Sequence, residues 1–276
     1  MSKHESKKRV VKKISLETRE QLQQLSLMNN AFMNLALEDN IPCVEEMLRV
    51  ILEKSDLSVK TARTQRFFQG FKRSIYLDIY AEDSRGILYN IEIQQADEGA
   101  DPRRARFHSG MIDVHNLKTG QDFKELPECY VIFITLNDVL GLERTIYTIH
   151  RYIDGVLEAF NDGSHIVYIN ASAKDDGTEL WKLIHDLHCT KADEMFFPRL
   201  AARVKFLKED EKGVTILANY FEELQAKAVK EAEKKARKDK ENFVLNLISL
   251  GKLTLEEIAK CSGLTLKKVR MLATTL

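Results

Sequence analysis

The spacing of apolar residues predicts two helices early in the chain and β-strands after them. Residues 25–37 and 42–53 carry apolar side chains at intervals of three and four, which is helical spacing. Pro42 suits the first turn of the second helix. Over residues 75–80 and 87–94, apolar and polar positions alternate instead. This alternation predicts a pair of strands.

The later pattern predicts an α/β domain followed by helices. Residues 104–118 have helical character. Residues 129–136 form a continuous apolar run rich in β-branched and aromatic side chains, which is typical of a central strand buried on both faces. Further strand candidates lie at 145–149 and 166–169, and the chain is helical in character from Glu179 onward. We therefore expect a mixed central sheet flanked by helices.

Charge and composition divide the chain into four segments. Residues 1–24 begin with a basic stretch, which predicts a solubilising tail or an arm that contacts nucleic acid. Residues 25–221 hold the α/β domain. Residues 222–242 are almost entirely Ala, Glu, Lys, Arg and Gln with mixed charges, and they predict an exposed connecting helix. Residues 243–276 would form a small helical module.

The small C-terminal module resembles a helix-turn-helix. Gly263 lies where such a motif turns, and Lys267, Lys268 and Arg270 lie on the expected second helix. A basic second helix could enter the major groove of DNA. The alternative is a helical hairpin that packs on the rest of the chain or pairs with a second copy, which would make a homo-oligomer through the C-terminal helices.

The overall composition argues against several classes of protein. The 42 basic and 42 acidic residues balance, which argues against a protein that coats nucleic acid by charge alone. The four cysteines are far apart and form no zinc motif, and His185 and His188 lie three residues apart without a companion ligand. The sequence contains no signal-peptide run and no membrane span, so we expect a cytoplasmic protein without membrane contact.

Two acidic residues face each other in the predicted strand pair. A three-residue loop at 84–86, with glycine where positive φ is needed, fixes the hairpin register. Counting back from that loop places Asp78 opposite Glu92, with Cβ atoms about 5 Å apart. Gln94 follows on the same face, two residues beyond Glu92.

Two opposed carboxylates destabilise a hairpin unless their charge is compensated. A cation could lie between Asp78 and Glu92, one of them could be protonated, or both could project into water. Carboxylates on rigid strands suit Mg²⁺, which can activate water and neutralise a phosphodiester. The alternative is an ordinary half-exposed hairpin that carries surface acids.

Several ordered motifs together resemble the PD-(D/E)XK nuclease superfamily. The sequence over 76–83, 89–94 and 104–113 is similar to the family of putative transposases, or recombination-promoting nucleases, within that superfamily. Residues 126–134 resemble its third core strand. The resemblance covers roughly residues 28–207.

The resemblance implies a restriction-endonuclease-like core and magnesium-dependent cleavage of DNA, with Mn²⁺ as an alternative ion, in a role linked to recombination or mobile elements. Asp78, Glu92 and the backbone carbonyl of Ile93 would hold the metal. Gln94 stands where the superfamily has a lysine. A neutral amide can orient water but supplies no positive charge. The resemblance therefore assigns that charge to Arg104 or Arg106.

Arg104, Arg106 and His108 would also contact phosphate. The chain departs from the family pattern at Asn29-Asn30, where an acid is common, and Glu38 is the nearest substitute. These departures leave open a catalytically weakened DNA-binding or assembly protein that retains the nuclease fold. A nuclease acting on RNA is a further alternative.

Overall fold

The structure is a computed structural model that describes residues 14–274, apart from the side chains of residues 97 and 98. Within this range the α-helices are Leu16–Gln23 (α1), Asn30–Leu37 (α2), Ile41–Leu52 (α3), Pro102–Asn116 (α4), Glu179–His188 (α5), Pro198–Glu209 (α6), Glu211–Leu250 (α7), Leu255–Ser262 (α8) and Leu266–Ala273 (α9). The strands are Val59–Phe68 (β1), Ile75–Asp83 (β2), Leu88–Gln94 (β3), Cys129–Thr135 (β4), Ile146–Ile149 (β5) and Ser164–Asn170 (β6).

The strands form one mixed six-stranded sheet in the order β1-β2-β3-β4-β6-β5. The β1-β2-β3 strands are antiparallel neighbours, β3-β4-β6 run parallel, and β5 is antiparallel to β6. Central strands β3 and β4 are buried on both faces because parallel crossovers bring helices onto the sheet. The predicted mixed sheet flanked by helices is confirmed.

Helix α4 packs against the centre of the sheet. Ala105 and Ile112 of α4 are fully buried and share a core cluster with Val131 and Phe133 of β4. Helices α2 and α3 pack against the other end of the sheet, at β1 and β2. The strand ends that carry the predicted acids therefore lie between helices on a rigid platform.

The hairpin between β2 and β3 forms as predicted. The amide of Asp83 donates to the carbonyl of Ile87 at 3.1 Å, and Gly86 adopts φ +81° at the turn. The observed pairing of Ile79 with Ile91 belongs to the predicted register. The turn chemistry alone was enough to fix this register.

The beginning of the chain differs from the prediction in two ways. The helix expected at 25–37 begins only at Asn30, because the side chain of Asn29 accepts the amide of Phe32 at 3.0 Å and acts as an N-cap. Residues assigned to the tail form α1 instead, where Ser15 caps the helix and Leu22 is buried. Residues 1–13 of the predicted tail lie outside the described residues.

A buried lysine ties α1 to the rest of the domain. The Lys208 ammonium donates to the carbonyls of Gln23 at 2.9 Å, Thr190 at 2.5 Å and Leu25. Three acceptors match the three protons of the ammonium group, so this buried cation is fully hydrogen-bonded. These hydrogen bonds attach the end of α1, which the sequence predicted to be part of a tail, to the α/β domain.

The described chain divides into two compact units, which meet between Ala218 and Asn219 within α7. The charged segment expected at 222–242 is part of this longer helix. In the second unit, Val244 of α7 is buried with Ile258 of α8 and Val269 of α9. No helix among residues 14–274 combines the length and apolar character needed to cross a membrane.

Candidate active site

Asp78 and Glu92 lie side by side where β2 and β3 separate. The paired ladder ends at Ile79 and Ile91, one residue before the two acids. Beyond that point the two carboxylates accept hydrogen bonds from backbone amides. The Asp78 amide donates to Glu92 Oε1 at 3.2 Å, and the Ile93 amide donates to Asp78 Oδ2 at 3.3 Å. The sequence predicted two acids opposed on an intact ladder. In the structure, each carboxylate instead accepts a backbone amide of the neighbouring strand just beyond the end of the ladder.

Two amide side chains hold the Asp78 carboxylate from the other direction. Asn30 Nδ2 of α2 donates to Oδ2 at 2.9 Å, and Gln65 Nε2 of β1 donates to Oδ1 at 2.9 Å. Asn34 Nδ2 in turn donates to Asn30 Oδ1 at 2.5 Å. Asn30 was noted only as a departure from the family pattern, and Gln65 was missed altogether.

The backbone at Gln65 is strained. Gln65 lies within β1 but has φ +52°, in the left-handed region that residues with a Cβ rarely adopt. Such strain persists only where the surroundings fix it, and it concentrates at functional sites. The conformation gives the Gln65 amide its contact with Asp78.

Glu92 is fully buried within a small charged network. Its Oε2 accepts from Arg104 at 3.1 Å, and its Oε1 lies 3.4 Å from His108 Nδ1. Arg104 Nε donates to His108 Nε2 at 3.3 Å, and His108 Nδ1 also lies 3.1 Å from the side-chain nitrogen of Asn90. Arg104 also donates to Gln94 Oε1 at 3.2 Å. The structure thus brings Glu92, Gln94, Arg104 and His108 together.

Helix α4 places these side chains because of its spacing. Arg104 and His108 are four residues apart and share the helix face that meets the sheet. The helix begins at Pro102 after the N-cap Asp101, whose side chain accepts the Arg103 amide at 2.7 Å. The cap fixes where the helix begins, and hence which arginine reaches Glu92.

Electrostatics set Asp78 apart from ordinary aspartates. Burial first, and then the nearby charge of Glu92, raise the pKa of Asp78 to about 6. The hydrogen bonds from Asn30, Ile93 and Gln65 act in the opposite direction. The folded protein therefore holds Asp78 ionised at neutral pH at a cost in stability.

The donors at this position fit a divalent ion such as Mg²⁺. The Asp78 and Glu92 carboxylates are hard oxygen ligands on adjacent strands, and a cation would relieve the repulsion that Arg104 does not already offset. The side-chain oxygen of Asn90, which precedes Glu92 by two residues on β3, is buried without a partner among the described residues. Arg104 already supplies one positive charge to Glu92, whereas Asp78 forms no ion pair with a cation among the residues with described side chains.

Other predicted residues lie elsewhere. Arg106 is on the exposed side of α4 and lines the cleft that leads to Asp78. Glu38 accepts from the Thr64 amide at 2.6 Å, so it is held at the surface of β1 and no contact joins it to Asp78. The contact from the first helices to Asp78, for which Glu38 was the nearest acidic candidate, is made by Asn30.

The predicted basic helix of the second unit is α9. Lys268 forms an ion pair with Glu241 at 2.8 Å, and Arg270 forms one with Glu256 at 3.1 Å. Lys267 is exposed and forms no ion pair with a described residue. The α8–α9 turn has Gly263 in the left-handed conformation with φ +65°, as a helix-turn-helix requires.

A sequence comparison decides the family. A family model described as PD-(D/E)XK nuclease family transposase matches residues 35–246. The chain belongs to this family. The resemblance inferred from its motifs is confirmed, and the mixed sheet flanked by helices is the PD-(D/E)XK restriction-endonuclease-like fold. Neither the curated proteins nor the solved structures contain a significant match.

This PD-(D/E)XK protein also contains a cluster that the sequence did not reveal. Ligand atoms of His185, Asp186 and Cys189 all lie within 4.8 Å of one another. Asp186, however, accepts the amides of Phe196 and Phe197, each at 2.8 Å, just before α6. Burial also raises the pKa of Cys189 to about 11, so its thiol stays protonated. We assign this cluster a structural role.

Proposed function

We propose that this protein is a magnesium-dependent DNA endonuclease. Its family consists of nucleases related to mobile elements, and this supports a hydrolase acting on DNA. The observation that carries the proposal is that the Asp78 and Glu92 carboxylates lie side by side at the point where β2 and β3 separate. An ordinary surface hairpin would not bury both acids and hold them with four further side chains.

The roles follow from the contacts. Asp78, Glu92 and the Ile93 carbonyl would hold Mg²⁺ or Mn²⁺. The bound ion would supply Lewis-acid chemistry at the scissile phosphate. Gln94, whose amide nitrogen is not used in its contact with Arg104, would orient the attacking water. Arg104 would stabilise the negative charge that develops on the phosphate oxygens during cleavage. Its guanidinium is held in place for this role by Glu92, Gln94 and the Gly99 carbonyl.

The direct test is cleavage of supercoiled plasmid by purified protein in magnesium buffer. We expect the wild type to nick or linearise the plasmid, and Asp78→Asn and Glu92→Gln to lose at least about 100-fold of that activity. Glu82→Gln is the matched control, because it removes a half-exposed acid on the same strand as Asp78, and this acid forms an ion pair with Lys60. Equal activity in all four proteins would refute the proposed site.

A catalytically weakened DNA-binding protein is the second candidate. It is favoured by Asn30, which meets Asp78 where the family often has an acid, and by the neutral Gln94. This candidate predicts DNA binding without cleavage by the wild type in magnesium or manganese.

The C-terminal unit would contribute to DNA affinity in both cases. We propose that Lys267 contacts phosphate directly. Lys268 and Arg270 would have to exchange Glu241 and Glu256 for phosphate, which is feasible because the first ion pair is partly exposed and the second is exposed, so that solvent weakens both.

A further inference from the structure

A cleft of about 1070 Å³ leads from the surface to the Asp78 carboxylate. One wall is formed by the beginning of β2 with Tyr76 and by Arg73, which lies just before that strand. The opposite wall is the exposed side of α4, where Arg103, Arg106 and Phe107 lie. The proposed function involves only the inner end of this cleft, where Asp78, Arg104 and His108 lie. The outer walls therefore need their own explanation.

Three of the arginines that line the cleft have no carboxylate partner among the residues with described side chains. Arg73, Arg103 and Arg106 are exposed, and none of them forms an ion pair with a carboxylate among residues 14–274 for which side chains are described. Many other arginines of the chain do have such partners, for instance Arg85 and Arg151. In a chain with no net charge, unpaired guanidinium groups that face one cleft favour an anionic ligand such as a phosphate backbone.

Aromatic rings lie among these arginines. Tyr76 is 59% exposed and Phe107 is 40% exposed, although both are large apolar side chains. Phe67 of β1, also half exposed, packs against Tyr76 with ring centroids 5.0 Å apart. Phe67 and Tyr76 are paired across the β1–β2 ladder, so their rings stand on a rigid base. Tyr76 and Phe107 therefore offer stacking surfaces on opposite walls of the cleft.

We propose that this cleft binds unpaired nucleotides next to the scissile phosphate, so that the enzyme prefers single-stranded, flapped or frayed DNA over continuous duplex. Interleaved cations and aromatic rings are what single-stranded nucleic acid requires, since phosphates contact the cations and bases stack on the rings. In duplex DNA the base faces are already stacked on each other, and the rings would meet only the backbone. The inference rests on the proposed function, since it names the substrate of the same site.

The test measures binding without cleavage. Fluorescence anisotropy in EDTA would compare a labelled oligothymidylate of about 16 nucleotides with a duplex of equal length. We expect the single strand to bind at least about 10-fold more tightly. Tyr76→Ala and Phe107→Ala should each weaken single-strand binding by about 5- to 150-fold and change duplex binding by less than about twofold, because one stacked base contributes about 1–3 kcal/mol.

Two further variants sharpen the result. Tyr76→Phe keeps the ring and should bind the single strand as the wild type does. Phe123→Ala removes a ring that is 79% exposed but does not line the cleft, and it should have no effect. Thermal melts would confirm that each variant is folded, which is expected because these side chains lie at the surface.

Several outcomes would overturn the inference. Duplex binding as tight as single-strand binding would do so, as would equal losses on both substrates in Tyr76→Ala and Phe107→Ala. Failure to bind either DNA would also overturn it, and would point to a protein partner for the exposed rings. A single-strand preference without cleavage of any DNA in magnesium would support the cleft inference while refuting the nuclease proposal.

Discussion

Removing one charge from the carboxylate pair should stabilise the protein while abolishing its function. The perturbation is Asp78→Asn. Its side-chain oxygen can still accept the amides of Asn30 and Ile93, and its new amide can donate to Gln65 once the Gln65 amide rotates. The substitution therefore keeps the shape and the hydrogen bonds and removes only the buried charge.

The magnitude follows from the Asp78 pKa. Burial and the Glu92 charge raise it from 3.8 to about 6 in the folded protein, a change of about two units. Each unit corresponds to about 1.4 kcal/mol, so at neutral pH the ionised carboxylate costs at most about 3 kcal/mol. Because the amide must also reorient Gln65, we expect Asp78→Asn to raise the unfolding free energy by about 1–3 kcal/mol at pH 7.

The sign of the pH dependence is fixed by proton uptake. Between pH 4 and pH 6 the folded protein binds the Asp78 proton more tightly than the unfolded chain does. The Asp78 contribution to stability is therefore greatest below pH 4 and is lost as the pH rises through about 6. Asp78→Asn lacks this dependence, so its advantage over the wild type should grow from near zero at pH 4 to its full value at pH 7.

The assay is urea unfolding followed by circular dichroism, in EDTA to exclude metal ions. Glu82→Gln is again the control, and its unfolding free energy should differ from the wild type by less than about 0.5 kcal/mol. A variant Asp78→Asn that is less stable than the wild type at pH 7 would contradict the electrostatic account. An advantage of the same size at pH 4 and pH 7 would contradict it as well.

Three other predictions concern the surroundings of the site. Lys208→Met should lower the unfolding free energy by about 3 kcal/mol in urea titrations, because three partly buried carbonyls lose their donor; unchanged stability would show that water replaces the ammonium. Gly99→Ala should reduce plasmid cleavage by at least about 10-fold without changing the melting temperature, because the added Cβ would lie 2.0 Å from Gln94 Oε1 and displace that amide. Of the four cysteines, only the exposed Cys261 should react rapidly with a thiol reagent under native conditions, since the other three are buried; mass spectrometry after brief labelling would identify any second modified thiol.

Local chemistry made the hairpin and its acids predictable from the sequence. The turn at Gly86 fixed the register, and alternation along the strands placed Asp78 and Glu92 together. The four-residue spacing of Arg104 and His108 likewise placed both on one face of α4. These features depend on residues close in sequence, so periodicity and turn preferences were sufficient.

The residues that hold Asp78 depend on long-range packing and could not be predicted in this way. Asn30 and Gln65 reach it from α2 and β1, elements that are brought to the site only by the folded sheet. Strand β1 itself was missed, because it is an edge strand with many exposed polar residues and shows no regular alternation. The left-handed conformation of Gln65 breaks the pattern at the site itself.

The central claim is that Asp78 and Glu92 together bind a divalent ion. Titration with Mn²⁺, followed by electron paramagnetic resonance of the free ion, measures this directly without DNA or turnover. We expect the wild type to bind manganese with saturable stoichiometry, Mg²⁺ to compete for the same site, and Asp78→Asn and Glu92→Gln to lose that binding. Undiminished manganese binding by both variants, or no binding by the wild type, would contradict the account.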